Sequence, residues 1–263
     1  MTLSEHVFLY CERGTSQALL AEPVNAASNA AFLLAALAGL WLLLRRPKEA
    51  RSADHVLLIA LVFLIGLGSF AFHLLADRVA LLADLVPIDV FMLVYLGFAL
   101  NRFLTVPPGW TVLTLIGFAA IVALTTELKC WGGGIGFPDV AASGASECLN
   151  GSLVHLPALV ALAVVGGLLA ERKNPASPYI LWAAVVFAVS VTLRSLDLAL
   201  CDAYAIEGRK IGTHFAWHLL NGLALFLLLR ASLEVGPINE SRAAARLRSG
   251  HALLPPEGAA NSE

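Results

Sequence analysis

His214-Phe-Ala-Trp-His218 sets two imidazoles four residues apart, which on a helix places both on one face. Ser69 and His73 repeat that spacing earlier in the chain, and Asp84 follows shortly after. Three imidazoles fill three corners of a tetrahedral zinc site and leave the fourth for water, the arrangement of catalytic rather than structural zinc. Zinc lowers the pKa of such a water to about 7. Asp84 is then the candidate to accept its proton, and the Ser69 hydroxyl to orient the water or to donate to a developing oxyanion. The bland alternative is a buried histidine–aspartate hydrogen-bond network that only holds helices together. Haem fits less well, because an i, i+4 pair on one helix cannot flank the two faces of the ring.

The surroundings needed to position these residues are apolar. The chain has 263 residues, 59% hydrophobic and 14% charged, against roughly 25% charged in soluble domains. Its mean hydropathy is +0.79. The net charge of −2 and the lack of a basic run exclude a nucleic-acid binder. Seven apolar runs cover 24–44, 56–75, 85–100 (the third is short unless it begins near Leu81), 110–128, 153–170, 179–200 and 211–233. Each is near the length of about 20 residues that crosses a bilayer. Glu5, Glu12 and Arg13 interrupt the segment before Pro23, so the first run reads as helix one and not as a secretory signal. The sequence thus predicts an all-α, polytopic bundle of seven transmembrane helices over residues 1–233. A polar, disordered cytoplasmic tail is expected over 234–263.

Positive residues orient such a bundle. With the N-terminus outside and the C-terminus cytoplasmic, the inner loops and tail hold Arg45, Arg46, Lys48, Arg51, Arg102, Arg172, Lys173, Arg230, Arg242, Arg246 and Arg248. The outer segments hold only Arg13, Arg78, Lys129, Arg209 and Lys210. The cysteines agree: Cys11, Cys130, Cys148 and Cys201 all fall outside, where an oxidising compartment lets disulfides persist. Four cysteines allow three pairings. The favoured one joins Cys11 to Cys201 and Cys130 to Cys148, the latter closing the long outer loop. In this topology Ser69, His73, Asp84, His214 and His218 come to one depth, near the outer ends of helices two, three and seven. Ionisable residues within spans are costly and mark sites. Arg194 and Asp197, three apart on helix six, are expected to pair with each other. Asp89 lies deeper and has no assigned role, His155 reads as interfacial, and His6, His55 and His251 read as solvated.

Three blocks make the chain resemble the alkaline ceramidase family and its superfamily of seven-helix, metal-dependent membrane hydrolases. They are Tyr10-Cys11-Glu12 with Ala21-Glu22-Pro23-Val24-Asn25-Ala26-Ala27-Ser28-Asn29; Gly68-Ser69-Phe70-Ala71-Phe72-His73 followed by Asp84-Leu85-Val86-Pro87; and His214-Phe215-Ala216-Trp217-His218. The resemblance implies zinc on His73, His214 and His218, with Asp84 and Ser69 completing the site. It implies a disulfide between Cys11 and Cys201. It also implies calcium held by Glu12, Glu22 and the backbone near Tyr10, although Leu9 and Gly14 stand where the family tends to carry Asp and Asn.

The function expected is zinc-dependent cleavage of the amide bond of ceramide or a related N-acyl lipid, giving a fatty acid and a sphingoid or other amino base. The lean, Ala/Leu-rich bundle suits a bacterial inner membrane, with the site towards the periplasm. The alternatives are a receptor-like member of the superfamily with a non-catalytic metal site, and a scaffold whose histidines satisfy one another.

Overall fold

In a computed structural model, which describes residues 5–137 and 144–234, seven helices are long and apolar enough to cross a membrane. They are α1 (Pro23–Leu44), α2 (Ala53–Leu75), α3 (Arg78–Phe103), α4 (Pro108–Glu127), α5 (Ser152–Glu171), α6 (Ser177–Leu196) and α7 (His214–Ser232). The chain is therefore an integral membrane protein. Apart from Glu234, the expected tail lies outside the described residues.

Polarity runs opposite to that of a soluble protein. Leu34, Leu37, Trp41, Phe63, Leu67, Leu113, Ile116, Val160 and Trp182 point outward, while the buried polar residues include five histidines, two aspartates and two glutamates. Lipid accepts the first set, and only partners inside the bundle can accommodate the second. The most buried spans are α2 and α7, each 56% buried, and α4 is peripheral at 6%. The two central helices are the ones that carry the three histidines.

Local sequence sets the α2–α3 hairpin. Helix α2 ends at Ala76, which adopts φ 47°, and its N–H closes on Phe72 O at 2.8 Å. Asp77 then caps α3 by accepting from Ala80 N at 2.8 Å, a preferred N-cap role for aspartate. So short a turn leaves His73 near the end of one helix and Asp84 in the second turn of the next. Gly68 completes the arrangement, since a Cβ there would lie 1.9 Å from Ala83 O. The two backbones touch, one residue before Ser69 and one before Asp84. Small residues also bring α7 onto α1, with the Gly222 position against Ala31, as is usual between helices in lipid.

The third helix is longer than its apolar run, beginning at Arg78. Asp77, Arg78 and Asp84 lower the hydropathy of its first turns without stopping the helix. Helix α2 likewise starts before its run, at Ala53, and this corrects the reading of His55. That ring is buried, with Nδ1 2.9 Å from Ser52 Oγ and Nε2 3.0 Å from Ser232 O. It ties α2 to α7 at the end away from Ser69 and His73.

Two loops add small sheets. Strands β1 (Lys129–Trp131), β2 (Gly134–Gly136) and β3 (Ser146–Glu147) form an antiparallel sheet ordered β2-β1-β3. Strands β4 (Ala205–Ile206) and β5 (Arg209–Lys210) form a hairpin between α6 and α7. Both favoured disulfides are present: Cys130–Cys148 clamps the sheet, and Cys11–Cys201 ties the N-terminal segment to the loop after α6.

Candidate metal centre

The N-terminal segment folds back over one end of the bundle and closes on the histidines. Asp197, wholly buried, organises the junction. Its Oδ2 accepts from Cys11 N at 2.9 Å, and its Oδ1 from Thr213 N at 2.8 Å and His214 N at 2.9 Å. A carboxylate at the first amides of α7 satisfies orphan donors and meets the positive end of the helix dipole. Gly212, at φ 67°, makes room, because a Cβ there would stand 2.2 Å from Asp197 Oδ1. Asp197 therefore does not serve Arg194. That guanidinium instead donates to Asn150 O at 2.9 Å and Ser152 Oγ at 2.8 Å, fixing the start of α5.

His73, His214 and His218 converge, each with one ligand atom within 4.8 Å of the others, and none is more than 1% exposed. Their tautomers follow from their neighbours. His73 Nδ1 lies 2.6 Å from Glu22 Oε2, a carboxylate that only accepts. His218 Nδ1 lies 2.7 Å from Ser28 Oγ. The Ser28 hydroxyl gives its own hydrogen to Asn25 O at 2.7 Å, so its oxygen accepts from the ring. Both Nδ1 atoms thus carry hydrogen, so in the neutral rings both Nε2 atoms would present lone pairs to each other at 3.2 Å. Two facing lone pairs repel unless a cation lies between them. Zinc–nitrogen bonds of 2.0–2.1 Å in a tetrahedron would set such nitrogens about 3.3 Å apart. The buried Nδ1 of His214 has no hydrogen-bond partner. Donor chemistry, spacing and the orphaned atom all fit a metal held by these three rings.

Around the triad, the Tyr10 ring stacks on His214 with centroids 3.6 Å apart, and burial pushes its phenol pKa up to about 12. Asp84 is buried with Oδ1 unpartnered, and Ser69 and His73 are its polar neighbours. The five residues expected to share one depth therefore come together. His155 stays outside the triad, buried against Trp217 at 4.8 Å. Asp89 is exposed on the outer face of α3. Between the helices opens an apolar cavity lined by Ile65, Met92, Tyr95, Phe118, Trp217 and Leu228 among others, with His155 and not the triad in its wall.

The chain matches the ceramidase family over residues 8–244. It belongs to that family. None of the curated proteins matches it closely enough to count as a relative. Ceramidase membership implies an amide hydrolase that acts on a lipid and depends on a metal, and the three-histidine group is where a metal fits this ceramidase-family chain.

Sequence reasoning missed the partners that orient the rings. Ser28 and Glu22 both stand in the Glu22–Asn29 block, but only the packing of the start of α1 against α7 and α2 gives them these roles. The residues tied to calcium by resemblance are engaged within the chain. Glu12 accepts from Val24 N at 2.9 Å and Asn25 N at 2.8 Å. Burial raises its pKa, and these two donors oppose the rise. Glu22 accepts from Arg13, His73 and Asn25. Burial pushes its pKa up, but these donors outweigh burial and hold it below the usual carboxylate value. The Tyr10 carbonyl accepts from Gly14 N at 3.2 Å.

Proposed function

We propose that this protein is a zinc-dependent amidohydrolase that cleaves the amide of ceramide or a related N-acyl lipid, releasing a fatty acid and an amino base. The observation that carries this reading is the approach of His73 Nε2 to His218 Nε2 at 3.2 Å, with His214 beside them. When bound, a zinc ion supplies Lewis acidity towards water and the amide carbonyl. Asp84 takes a proton from the attacking water and passes it to the amide nitrogen as the carbon–nitrogen bond breaks, so the base leaves as a neutral amine. Ser69, beside Asp84, donates to the oxygen on which charge develops. The apolar cavity receives the acyl chain and keeps bulk water from the scissile bond.

The charge bias of the loops supports placing the site on the outer side, which in a bacterium is the periplasmic face of the inner membrane. Two disulfides at the site's end of the bundle agree with an oxidising compartment.

The test is metal content of the detergent-purified protein, wild type against His214→Ala with His218→Ala, followed by hydrolysis of ceramides and other N-acyl lipids. About one zinc per chain, lost in the double variant, together with amide hydrolysis by the wild type, is the expected result. A well-folded wild type without bound metal overturns the reading.

A further inference from the structure

Arg13 is 4% exposed, although it lies in a stretch of sequence that reads as a solvated loop. Its guanidinium has five N–H donors, and five oxygens receive them. Nε donates to Glu22 Oε1 at 2.5 Å. One Nη1 atom serves Ser16 O at 3.2 Å and Ala18 O at 3.0 Å. Nη2 serves His73 O at 2.7 Å and Leu74 O at 3.2 Å. The last two are carbonyls of the final turn of α2, which an α-helix leaves unsatisfied and where its dipole favours a cation.

An enclosure of one carboxylate and four carbonyl oxygens is the kind of shell that a hard divalent cation takes, calcium needing six to eight such ligands. Here the positive charge comes from the chain itself. The oxygens of Glu12 and Glu22 are already committed to N–H donors, and Leu9 and Gly14 add no side-chain oxygen.

We propose that Arg13 is a built-in cation standing in for a bound divalent ion, so that the N-terminal segment is locked onto the metal centre without calcium. Arg13 is then a positioning residue. It fixes Glu22, which fixes the His73 ring through Nδ1, and it holds the backbone carbonyls of His73 and Leu74 from the other side. The part of this inference that concerns His73 rests on the three-histidine metal reading. The part that concerns calcium does not.

The experiment uses the full chain in detergent, prepared in calcium-depleted buffer. Equilibrium dialysis against radioactive calcium and thermal unfolding with and without added calcium come first. No calcium retained and an unchanged Tm are expected. One calcium bound per chain, or a Tm raised by calcium, overturns the proposal. These two readouts decide the point even if the wild type holds no zinc.

Zinc affinity is then measured by chelator competition for Arg13→Met and Arg13→Lys. Loss of an outer partner of a ligating histidine weakens metal binding about 10- to 100-fold. Arg13→Met should fall in that range, and Arg13→Lys, which keeps the charge but only three donors, should recover part of the loss. Wild-type zinc affinity in a folded Arg13→Met protein overturns the positioning role. If Arg13→Met does not fold, an Arg13→Lys protein with undiminished zinc affinity does the same.

Discussion

His73 and Glu22, 51 residues apart in the chain, meet at 2.6 Å between Nδ1 and Oε2. The contact fixes the tautomer of one candidate ligand and aims its Nε2 at the shared centre. Carboxylate–histidine pairs of this kind also raise the basicity of the ligand. Replacing Glu22 with Gln keeps the shape but removes the charge that faces His73 and Arg13. Zinc affinity in Glu22→Gln, read by chelator competition, is expected to fall about ten-fold or more, with seven-helix circular dichroism retained.

In the proposed mechanism Asp84 contributes its carboxylate to proton transfer. Asp84→Asn should bind zinc as the wild type does, and its turnover on an N-acyl lipid should fall at least about 100-fold. Equal turnover in the two proteins would remove Asp84 from the mechanism.

Gly68 is the contact point of α2 and α3. An added methyl would meet Ala83 O at 1.9 Å, and a backbone carbonyl cannot rotate away as a side chain can. Gly68→Ala should therefore separate Ser69 from Asp84 and destabilise the bundle by about 1–3 kcal/mol, the usual range for overpacking. Thermal unfolding measures the second effect, and turnover of the folded fraction measures the first.

The Cys11–Cys201 disulfide closes a loop of 190 residues in sequence separation and pins the segment that carries Arg13 and Glu12. Cys11→Ser with Cys201→Ser should cost about 2–4 kcal/mol. It should also make the segment before Pro23 accessible to protease while the helices stay resistant. Undisturbed protease resistance would show that the Asp197 and Arg13 contacts suffice alone.

The bundle was legible in the sequence because apolar runs of spanning length have few alternative fates, and the common depth of Ser69, His73, Asp84, His214 and His218 was legible because topology converts position in a run into height. Helix starts were less so. His55 and Arg78 lie where charge lowers hydropathy, yet α2 is carried past that point by Arg102 against Asp54 at 2.6 Å and by the buried His55 ring, and α3 is started there by its Asp77 cap. Arg13, Glu22, Ser28 and Asp197 were beyond reach for a different reason. Their roles depend on which helix end packs where (Ser28 and Glu22 at the start of α1) and on a non-helical segment folding back over the bundle (Arg13 and Asp197), and no periodicity encodes either. A charged residue before an apolar run looks the same whether water or five carbonyl and carboxylate oxygens will receive it.

Because His73 is carried by the second span and His214 and His218 by the seventh, the ribosome finishes one wall of the centre long before the other. A nascent chain with six helices inserted has one of the three converging imidazoles, a disulfide partner at Cys11 waiting for Cys201, and no three-histidine group. On the proposed metal reading, metal capture therefore reports that insertion has reached the seventh helix, and a chain ending before residue 214 would lack two of the three rings.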